Sequence, residues 1–561
     1  MRVVLLWMAS RLNVLARGLV THSRSHLMVR GGSRRFAEGI AKGHPDALKA
    51  ISWVAPSIAL EQVASVDGFE GDVLLVPVFK AEEEKFEMND AMALVDGTFD
   101  GALSELLNEE SFEAKPGAST VMRMSSSTVK RVAALVVGKE NGRSIGKKIA
   151  ELSKNHKAKR IGVVAVKGMD LEALVTSCLE ACYVDNRFRT GDSIVEPANI
   201  AEIVVVGYED EEKNKEENTD VVFQARGVAA GVAFARDITN APANVVTPKS
   251  LAEASMKLTE QFSDVLSGKV LDNDECAKRG MGAYLGVAQG AILENQAHFI
   301  HLTYKGPSSS QDAKRARLSF VGKGLTYDSG GYNLKPSSGG MIEKMKMDCG
   351  GSAAVLGAAR ALAELKVADL DVDFIVAACE NMVSAEAMRP GDILTASNGK
   401  TIEVINTDAE GRLTLADALV YAERECEPDA IVDLATLTGA MIVALGDNIA
   451  GLFTPHDDLA TEILSASHLA NEKLWRMPLE TDYEEAITSK IADLKNVGGR
   501  AAGSITAGLF LKHFVSKDLP WCHLDIAGPA FDHKQDVATG YGVKTLVTFA
   551  KARAKQAPKD D

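Results

Sequence analysis

The chain has 561 residues, of which 46% are hydrophobic and 25% are charged, and its formal net charge at pH 7 is −15. This composition is typical of a globular protein with two or more domains and excludes a disordered, collagenous or coiled-coil chain. The negative charge argues against a surface that binds nucleic acid over its whole extent. The apolar runs 3–9 and 434–446 are shorter than the ~20 residues of a membrane-spanning helix. We therefore expect no transmembrane segment and interpret 434–446 as buried core.

The first 37 residues differ in charge from the rest, because they contain seven arginines and no acidic residue. Their apolar side chains recur at helical steps of three and four: Leu5, Met8, Leu12, Leu15 and Leu19. A basic, acid-free amphipathic segment is typical of a mitochondrial transit peptide, although a disordered basic tail is an alternative. We therefore place residues 1–45 outside the fold as an N-terminal extension, and expect a mitochondrial location with a cytoplasmic one as the alternative.

The remaining sequence predicts two α/β lobes. In the first lobe, 46–220, short apolar runs alternate with helical stretches, which indicates a mostly parallel or mixed sheet flanked by helices. The charged run 209–220 is interpreted as a solvated loop or linker. Residues 221–240 predict a connecting helix that ends before Pro242. The same alternation continues over 241–556, which we expect to form the second lobe.

Acidic residues of the second lobe follow the strand-like runs, where open α/β sheets bind their ligands. Asp328, Asp348, Asp408 and Glu410 together carry about −4, and buried charges are costly unless they are paired or bind a metal. Two divalent cations would neutralise them. Oxygen ligands without histidine suit magnesium, manganese or a catalytic zinc pair.

Each acidic residue also has a simpler interpretation. Asp328 could cap a turn, and Asp348 could cap the helix that begins at Gly350. Asp408 and Glu410 could place negative charge at the start of the helix 411–425. The combination of acids with basic residues in glycine-rich sequence is more specific than any member alone.

These segments resemble the cytosolic leucine aminopeptidase family of dinuclear zinc metallo-exopeptidases. The resemblance covers about 225–555 and depends on six motifs: NAPANVVTP (240–248), GKGLTYDSGG (322–331), KMKMDCGG (344–351), NTDAEGRL (406–413), DLATLTGAM (433–441) and HLDIAGPA (523–530). The spacing of thirteen residues between Lys335 and Asp348 resembles the plant and protozoan branch of the family. The first lobe matches in architecture and position only.

The resemblance implies five metal ligands in the second lobe: Lys323, Asp328, Asp348, Asp408 and Glu410. Asp328 and Glu410 would bridge two divalent ions. Asp408 would complete the more readily exchanged site, and Lys323 and Asp348 would complete the tighter one. Zinc is the expected metal, with manganese, cobalt or magnesium as alternatives at the exchangeable site.

The resemblance also implies catalytic and specificity residues for an aminopeptidase that acts on short peptides. Lys335 would stabilise the gem-diolate, and Arg412 would position a bicarbonate that serves as the base. Five residues would line the pocket for a Leu- or Met-like first side chain, with ordinary core packing as the alternative: Met345, Thr436, Gly439, Ala527 and Ala530. The family resemblance further implies a homohexamer built as a dimer of trimers.

A different function is suggested by the region 129–168, which contains eleven lysines and arginines against two glutamates. A basic patch of this kind could bind nucleic acid or serve a regulatory role. A solvated helix face is the simpler interpretation of the same charges. An inactive scaffold is disfavoured, because every ligand and both catalytic side chains of the family pattern are present.

Overall fold

A computed structural model describes residues 55–80, 86–87, 90–109, 115–124, 128–138, 141–207, 214–293, 295–310, 314–339 and 341–556. The first lobe contains a sheet of seven strands among these residues: β1 (Ala59–Val63), β2 (Val73–Lys80), β3 (Phe86–Glu87), β4 (Ser119–Arg123), β5 (Arg131–Val136), β6 (Arg160–Val164) and β7 (Glu202–Val206). Their order is β1-β7-β6-β2-β5-β4, with β3 paired to β2. Strands β4 and β3 are antiparallel to their neighbours, and the others are parallel.

Four helices belong to this lobe: α1 (Asp90–Thr98), α2 (Ala102–Glu109), α3 (Asn141–His156) and α4 (Leu171–Ala181). Side chains on β2 alternate between two apolar clusters, since Val73 and Leu75 pack in one and Leu74 and Val76 in the other. A sheet that is covered on both faces needs apolar residues at every position of its inner strands. This requirement explains the unbroken apolar runs in the sequence.

The connecting helix, α5 (Asn214–Asn240), begins seven residues earlier than the sequence predicted. The charged residues 214–220 therefore form its first turns instead of a loop. Lysine and glutamate are good helix formers, so a charged run fits an exposed helical turn as well as a linker. The helix packs against α4 of the first lobe and against α9 (Gly350–Leu365) of the second, within one compact unit.

The second lobe is built on an eight-stranded sheet: β8 (Leu266–Leu271), β9 (His298–Lys305), β10 (Ala316–Asp328), β11 (Leu370–Asn381), β14 (Ala430–Ala435), β15 (Ala450–Phe453), β16 (Leu474–Arg476) and β18 (Trp521–Asp525). The order is β16-β15-β18-β14-β10-β11-β9-β8, and the four central strands β18, β14, β10 and β11 are mutually parallel. Two small sheets complete the strands of this lobe: β12 (Ile393–Thr395), β13 (Thr401–Glu403) and β17 (Leu494–Lys495) in one, β19 (Phe531–Asp532) and β20 (Val537–Ala538) in the other.

The remaining helices surround these sheets: α6 (Pro248–Gln261), α7 (Asn273–Lys278), α8 (Gly282–Ala288), α10 (Gly411–Cys426), α11 (Gly439–Leu445), α12 (Asp457–Ala470), α13 (Gly503–Lys512) and α14 (Val543–Gln556). The α6 start follows from sequence, because Thr247 accepts a hydrogen bond from the Ser250 N–H and Pro248 occupies the first helical position. The predicted α/β class with two sheets flanked by helices is thus confirmed.

The run 434–446 is only partly core, because it ends in α11, where Val443 is 89% exposed. Among the described residues, no helix is long and apolar enough to cross a membrane. The predicted N-terminal extension, 1–45, lies outside the described residues.

Candidate metal centre

The acidic residues predicted from the sequence meet at the carboxyl edge of the second sheet. Strand β10 ends at Asp328, a 3-10 turn over Ile342–Cys349 presents Asp348, and Glu410 directly precedes α10. Because the central strands are parallel, their carboxyl ends lie at one edge. Ligand atoms of Asp328, Asp348 and Glu410 lie within 4.8 Å of one another, and all three residues are buried.

Lys323 joins one half of this cluster. Its Nζ lies 2.7 Å from Asp348 Oδ2 and 2.9 Å from Glu410 Oε1, and it donates a hydrogen bond to the Thr436 carbonyl at 3.2 Å. Burial lowers the pKa of the Lys323 ammonium, but the carboxylates raise that pKa above its usual value overall. Asp348 is held in turn by the Thr436 hydroxyl, which donates to its Oδ1 at 2.7 Å.

Lys335 joins the other half. Its Nζ lies 2.7 Å from Asp328 Oδ2 and 2.5 Å from Asp408 Oδ1. The Asp408 side chain is 32% exposed, whereas those of Lys323 and Asp348 are 4% and 7% exposed. The predicted carboxylate ligands therefore divide into Asp348 and Glu410 around Lys323 and Asp328 and Asp408 around Lys335, and Asp408 is the most exposed of the four.

The raised pKa values and the unpaired acceptor of the cluster fit the binding of cations. Burial and the nearby Asp328 carboxylate raise the pKa of Glu410 to about 8, and burial raises that of Asp348 to about 6. Glu410 Oε2 is buried without a hydrogen-bond partner among the described residues. A buried acceptor of this kind is costly unless it is satisfied, and oxygen donors in this number suit hard or borderline divalent ions. The residues present thus fit a metal centre.

Arg412 lies in the first turn of α10, two residues after Glu410, and is 5% exposed. Its Nε and Nη1 atoms are buried and have no hydrogen-bond partner in the described part of the chain. Burial lowers the pKa of Arg412 to about 10, which leaves the guanidinium charged at neutral pH. Two unpaired donors on a buried cation form a suitable site for a small anion.

Sequence reasoning missed two residues that hold the site together. The side-chain amide of Asn381 donates to Asp328 Oδ1 at 2.8 Å and to the Thr407 carbonyl at 3.0 Å. The Thr407 hydroxyl donates to the Gly330 carbonyl at 2.6 Å. Asn381 is the last residue of β11 and is buried, so a polar residue ending an apolar strand was the available signal.

Two glycines allow the close packing of this centre. A Cβ at Gly411 would lie 2.4 Å from Lys323 Cε and 2.7 Å from its Nζ. Gly330 has a φ of +88°, and a Cβ there would lie 2.9 Å from Asp408 Oδ1. Both positions therefore require the absence of a side chain, one for space and one also for backbone conformation.

The structure brings together part of the predicted substrate pocket. The Thr436 methyl and the Ala530 Cβ both face Gly350, at 3.1 and 3.4 Å from the position of a Cβ there. Met345 is buried in a small apolar cluster with Phe531. Of the other two predicted members, Gly439 is exposed at the start of α11, and Ala527 is buried after β18. The inclusion of those two residues continues to depend on the family resemblance.

Fold and site together define a metal-dependent enzyme of the α/β class. The model of the cytosol aminopeptidase family, catalytic domain, matches residues 233–547, and that of the family's N-terminal domain matches 75–192. Leucine aminopeptidase 1 of Arabidopsis thaliana is 46% identical over 500 residues, 86% of this chain and 94% of its own length. Leucine aminopeptidase 2, chloroplastic, of the same plant is 44% identical over 543 residues, which cover 92% of this chain and 90% of the relative's own length.

A solved structure of a tomato leucine aminopeptidase mutant superposes with a TM-score of 0.79 at 41% identity, covering 89% of this chain and 97% of that one. The chain belongs to the cytosol aminopeptidase family and is an aminopeptidase, as the motifs predicted. The plant relatives also confirm the expected branch of the family.

The expected mitochondrial location, with its cytoplasmic alternative, is wrong. The second Arabidopsis relative is named chloroplastic, as are relatives from rice and tomato. The physical reason is that mitochondrial and chloroplast transit peptides share an arginine- and serine-rich, acid-poor composition. Composition of the first 37 residues therefore could not distinguish the two organelles.

Proposed function

We propose that this aminopeptidase removes Leu- or Met-like N-terminal residues from short peptides, with two divalent ions in the cluster at the carboxyl edge of the second sheet. The observation that carries the proposal is the convergence of three buried carboxylates, those of Asp328, Asp348 and Glu410, within 4.8 Å of one another. From the names of its relatives we also infer that the enzyme acts in the plastid. Its domain limits are proposed to be 46–220 and 241–556.

Five residues would hold the two ions: Lys323, Asp328, Asp348, Asp408 and Glu410. Asp328 and Glu410 are proposed as the bridging carboxylates. The greater exposure of Asp408 supports its assignment to the more readily exchanged ion. The burial of Lys323 supports its assignment to the more tightly bound ion. Lys323 would bind through its neutral amine, since an adjacent divalent charge lowers the pKa of an ammonium. Zinc is the expected metal.

Bound divalent ions supply activation of a water molecule and polarisation of the scissile carbonyl. The side chains around them provide the remaining chemistry. Lys335 would place its ammonium beside the carbonyl oxygen of the substrate. As that oxygen becomes an oxyanion, the positive charge would stabilise the gem-diolate. Arg412 would hold a bicarbonate with its unpaired Nε and Nη1 donors, and a bicarbonate at that place would supply a general base for the attacking water.

Selection for a free N-terminus follows from the same cluster. An unprotonated α-amine is a nitrogen donor that can join the oxygen ligands, whereas an acylated nitrogen has no available lone pair. The pocket beside Asp348 would receive the first side chain between Met345, Thr436 and Ala530, with Gly439 and Ala527 completing its wall. Small and apolar lining residues favour an aliphatic side chain.

The test compares Leu-p-nitroanilide with its N-acetylated form after chelation and after addition of Zn²⁺, Mn²⁺ or Co²⁺. We expect cleavage of the free amine only, dependent on metal and abolished by Asp408→Ala. The control variant Asp458→Ala, at an exposed aspartate of α12, should keep full activity. Hydrolysis of the acetylated substrate, or activity in Asp408→Ala, would contradict the proposal.

We also propose that the chain assembles as the homohexamer expected for its family. Large apolar side chains are exposed on the second lobe, including Val443 at 89%, Leu469 at 69% and Trp475 at 63%. Exposed apolar area is typical of surfaces that are buried in protein interfaces. Light scattering after size-exclusion chromatography would measure the assembly, and a monomer at micromolar concentration would overturn this proposal.

A further inference from the structure

A second group of candidate ligands lies near the opposite, amino edge of the same central strands. His301 on β9, Asp373 on β11 and Cys426 at the end of α10 place one ligand atom each within 4.8 Å of the others. His301 Nε2 lies 2.7 Å from Asp373 Oδ1 and 3.7 Å from Cys426 Sγ. The proposed aminopeptidase mechanism uses none of these residues.

The geometry separates two chemical interpretations of a cysteine, a histidine and an aspartate. In a nucleophilic triad the thiol and the carboxylate use opposite ring nitrogens of the histidine. Here both face Nε2, while Nδ1 lies 3.0 Å from the Tyr421 hydroxyl. Sulfur, nitrogen and oxygen donors that converge on one point form a chelating arrangement instead.

Polar neighbours of the cluster hold its donor side chains in place by hydrogen bonds. The contact between His301 Nδ1 and Tyr421 fixes the ring so that Nε2 faces the cluster, as hydrogen bonds to metal-binding histidines usually do. Thr303 donates to Asp373 Oδ1 at 2.7 Å. The Ser319 hydroxyl is fully buried and has no hydrogen-bond partner of usual geometry among the described residues. It lies close enough to the Cys426 thiol to lower the pKa of that thiol.

We propose that His301, Asp373 and Cys426 form a third metal site, which takes a borderline-soft divalent cation such as Zn²⁺. Tetrahedral zinc with usual bond lengths separates sulfur and nitrogen ligands by about 3.6 Å, close to the distance between Cys426 and His301. The Nε2–Oδ1 pair must open by roughly half an ångström to reach the same geometry. A water molecule or the Ser319 hydroxyl completes the coordination.

The charges are consistent with this assignment. A neutral imidazole, a carboxylate and a thiolate carry about −2 together, which balances a divalent ion. Burial and Asp373 raise the pKa of the Cys426 thiol, so metal binding releases its proton to solvent. Lys269, whose ammonium lies 5.8 Å from the centre of the Tyr421 ring, is one nearby positive charge that opposes cation binding, and Arg279 is another.

The site is separate from the dinuclear centre. Ser319 and Lys323 are four residues apart on β10, so roughly 13 Å of strand separates the two clusters. Helix α10 begins beside Glu410 and ends at Cys426. A metal at the second cluster would attach the end of α10 to β9 and β11, which is a structural role.

The thiolate makes this site spectroscopically distinct. The ligands proposed for the dinuclear centre are carboxylates and one amine, so a cobalt–thiolate charge-transfer band in the near ultraviolet reports only on a cysteine ligand. The full-length protein is stripped with a chelator and titrated with Co²⁺. Bound metal per chain is then measured alongside the absorbance and the hydrolysis of Leu-p-nitroanilide.

We expect three ions per chain and a thiolate band in the wild type, and two ions without the band in Cys426→Ser. Asp373→Asn should also lose one ion, while both variants keep hydrolysis within twofold. Cys349→Ser is the matched control and should retain the band, because that thiol donates to the Lys346 carbonyl instead. A wild type that binds two ions without the band, or a band that persists in Cys426→Ser, overturns the proposal whatever the hydrolysis assay gives.

Discussion

The two lobes contain sheets of similar design with different contents. In the first lobe, buried positions on the described parallel strands are apolar or glycine, as in β2 and β6. In the second lobe, buried positions on the parallel strands include Lys323, Asp328, Asp433 and His523. Architecture is therefore shared between the lobes, whereas, among the described residues, ionisable side chains are buried on the parallel strands of the second lobe and not on those of the first.

This difference separates a supporting sheet from a functional one. A buried ionisable group destabilises the fold unless a partner compensates it, so its presence calls for a chemical or structural explanation. Fold alone does not provide that explanation, because similar sheets support many activities. The following variants test whether activity depends on the charges buried in the second sheet and not on those of the first lobe.

Among substitutions that keep the side-chain volume, the largest effect is expected from Glu410→Gln, which removes one buried carboxylate. We expect kcat/KM to fall on the order of 10³-fold, equivalent to several kcal/mol of metal-assisted catalysis. The matched variant in the first sheet is Glu202→Gln on β7, which should change activity less than twofold. Steady-state hydrolysis of Leu-p-nitroanilide measures both, and equal losses would remove the distinction between the lobes.

The buried pair His523–Asp433 should contribute to stability in a pH-dependent manner. Their Nδ1–Oδ1 distance is 2.6 Å, and both side chains are fully buried. Burial lowers the pKa of His523, but the Asp433 and Asp525 carboxylates together raise it by more, so the folded-state pKa lies above 6.5. The stabilisation is therefore complete below pH 6.5 and is lost as the pH rises through the folded-state pKa.

Accordingly, His523→Asn should destabilise the fold by about 3 kcal/mol at pH 6, and by less at pH 9. Denaturant unfolding at the two pH values measures the difference. His468→Asn, at an exposed histidine of α12, serves as the control with little effect at either pH. A destabilisation that is the same at both pH values would contradict the ion-pair explanation.

Lys335→Met should lower kcat on the order of 10²-fold while KM and metal content stay near wild-type values, because it removes a charge directed at the developing oxyanion. The control is Lys344→Met, whose ammonium pairs with Asp536 near the surface at 2.6 Å. Kinetics and metal analysis together check this assignment. Loss of a metal ion, or a rise in KM without a fall in kcat, would assign Lys335 to binding instead.

The smallest effect is expected in the basic region of the first lobe. Some of its charges are already paired, since Lys130 lies 2.6 Å from Asp72 and Arg160 lies 2.5 Å from Glu202. Glutamine at four of its basic positions should change kcat/KM less than twofold: Lys154, Lys157, Lys159 and Arg160. The free energy of unfolding should change by no more than about 1 kcal/mol for each exposed pair that is lost.

The nucleic-acid hypothesis for residues 129–168 stays a prediction, and the same four-residue variant tests it. Binding to duplex DNA is measured at low and moderate salt. A salt-dependent affinity that disappears in the variant would give the first lobe a function of its own. The distinction between a supporting first sheet and a functional second sheet would then no longer hold.

The sequence predicted the two sheets and the position of the acids, because apolar runs mark buried strands and the acids follow those runs. Spacing alone could not predict how the lysines divide the cluster, and only the family resemblance placed Lys323 with Asp348, since Lys323 reaches Asp348 and Glu410 through a buried side chain whose direction no spacing encodes. The interpretation of 209–220 as a loop or linker failed over 214–220 for a local reason. Charged residues suit exposed helical turns and linkers equally.

Long-range juxtapositions were also beyond a motif search. His301 and Cys426 are 125 residues apart in the chain and meet because β9 and the end of α10 lie at the same edge of the sheet. Asn381 supports Asp328 across 53 residues in a similar way. Only the assembled sheet brings such side chains into contact.

Gly411 has a consequence for how sequence variants of this enzyme are interpreted. A single methyl group there would occupy the space of the Lys323 amine, although glycine itself offers no charge, ligand or proton. A survey that ranks positions by chemical reactivity would overlook it, and one that ranks substitutions by similarity would accept Gly411→Ala. In this enzyme a conservative exchange at a residue without a side chain should be as damaging as the loss of a ligand.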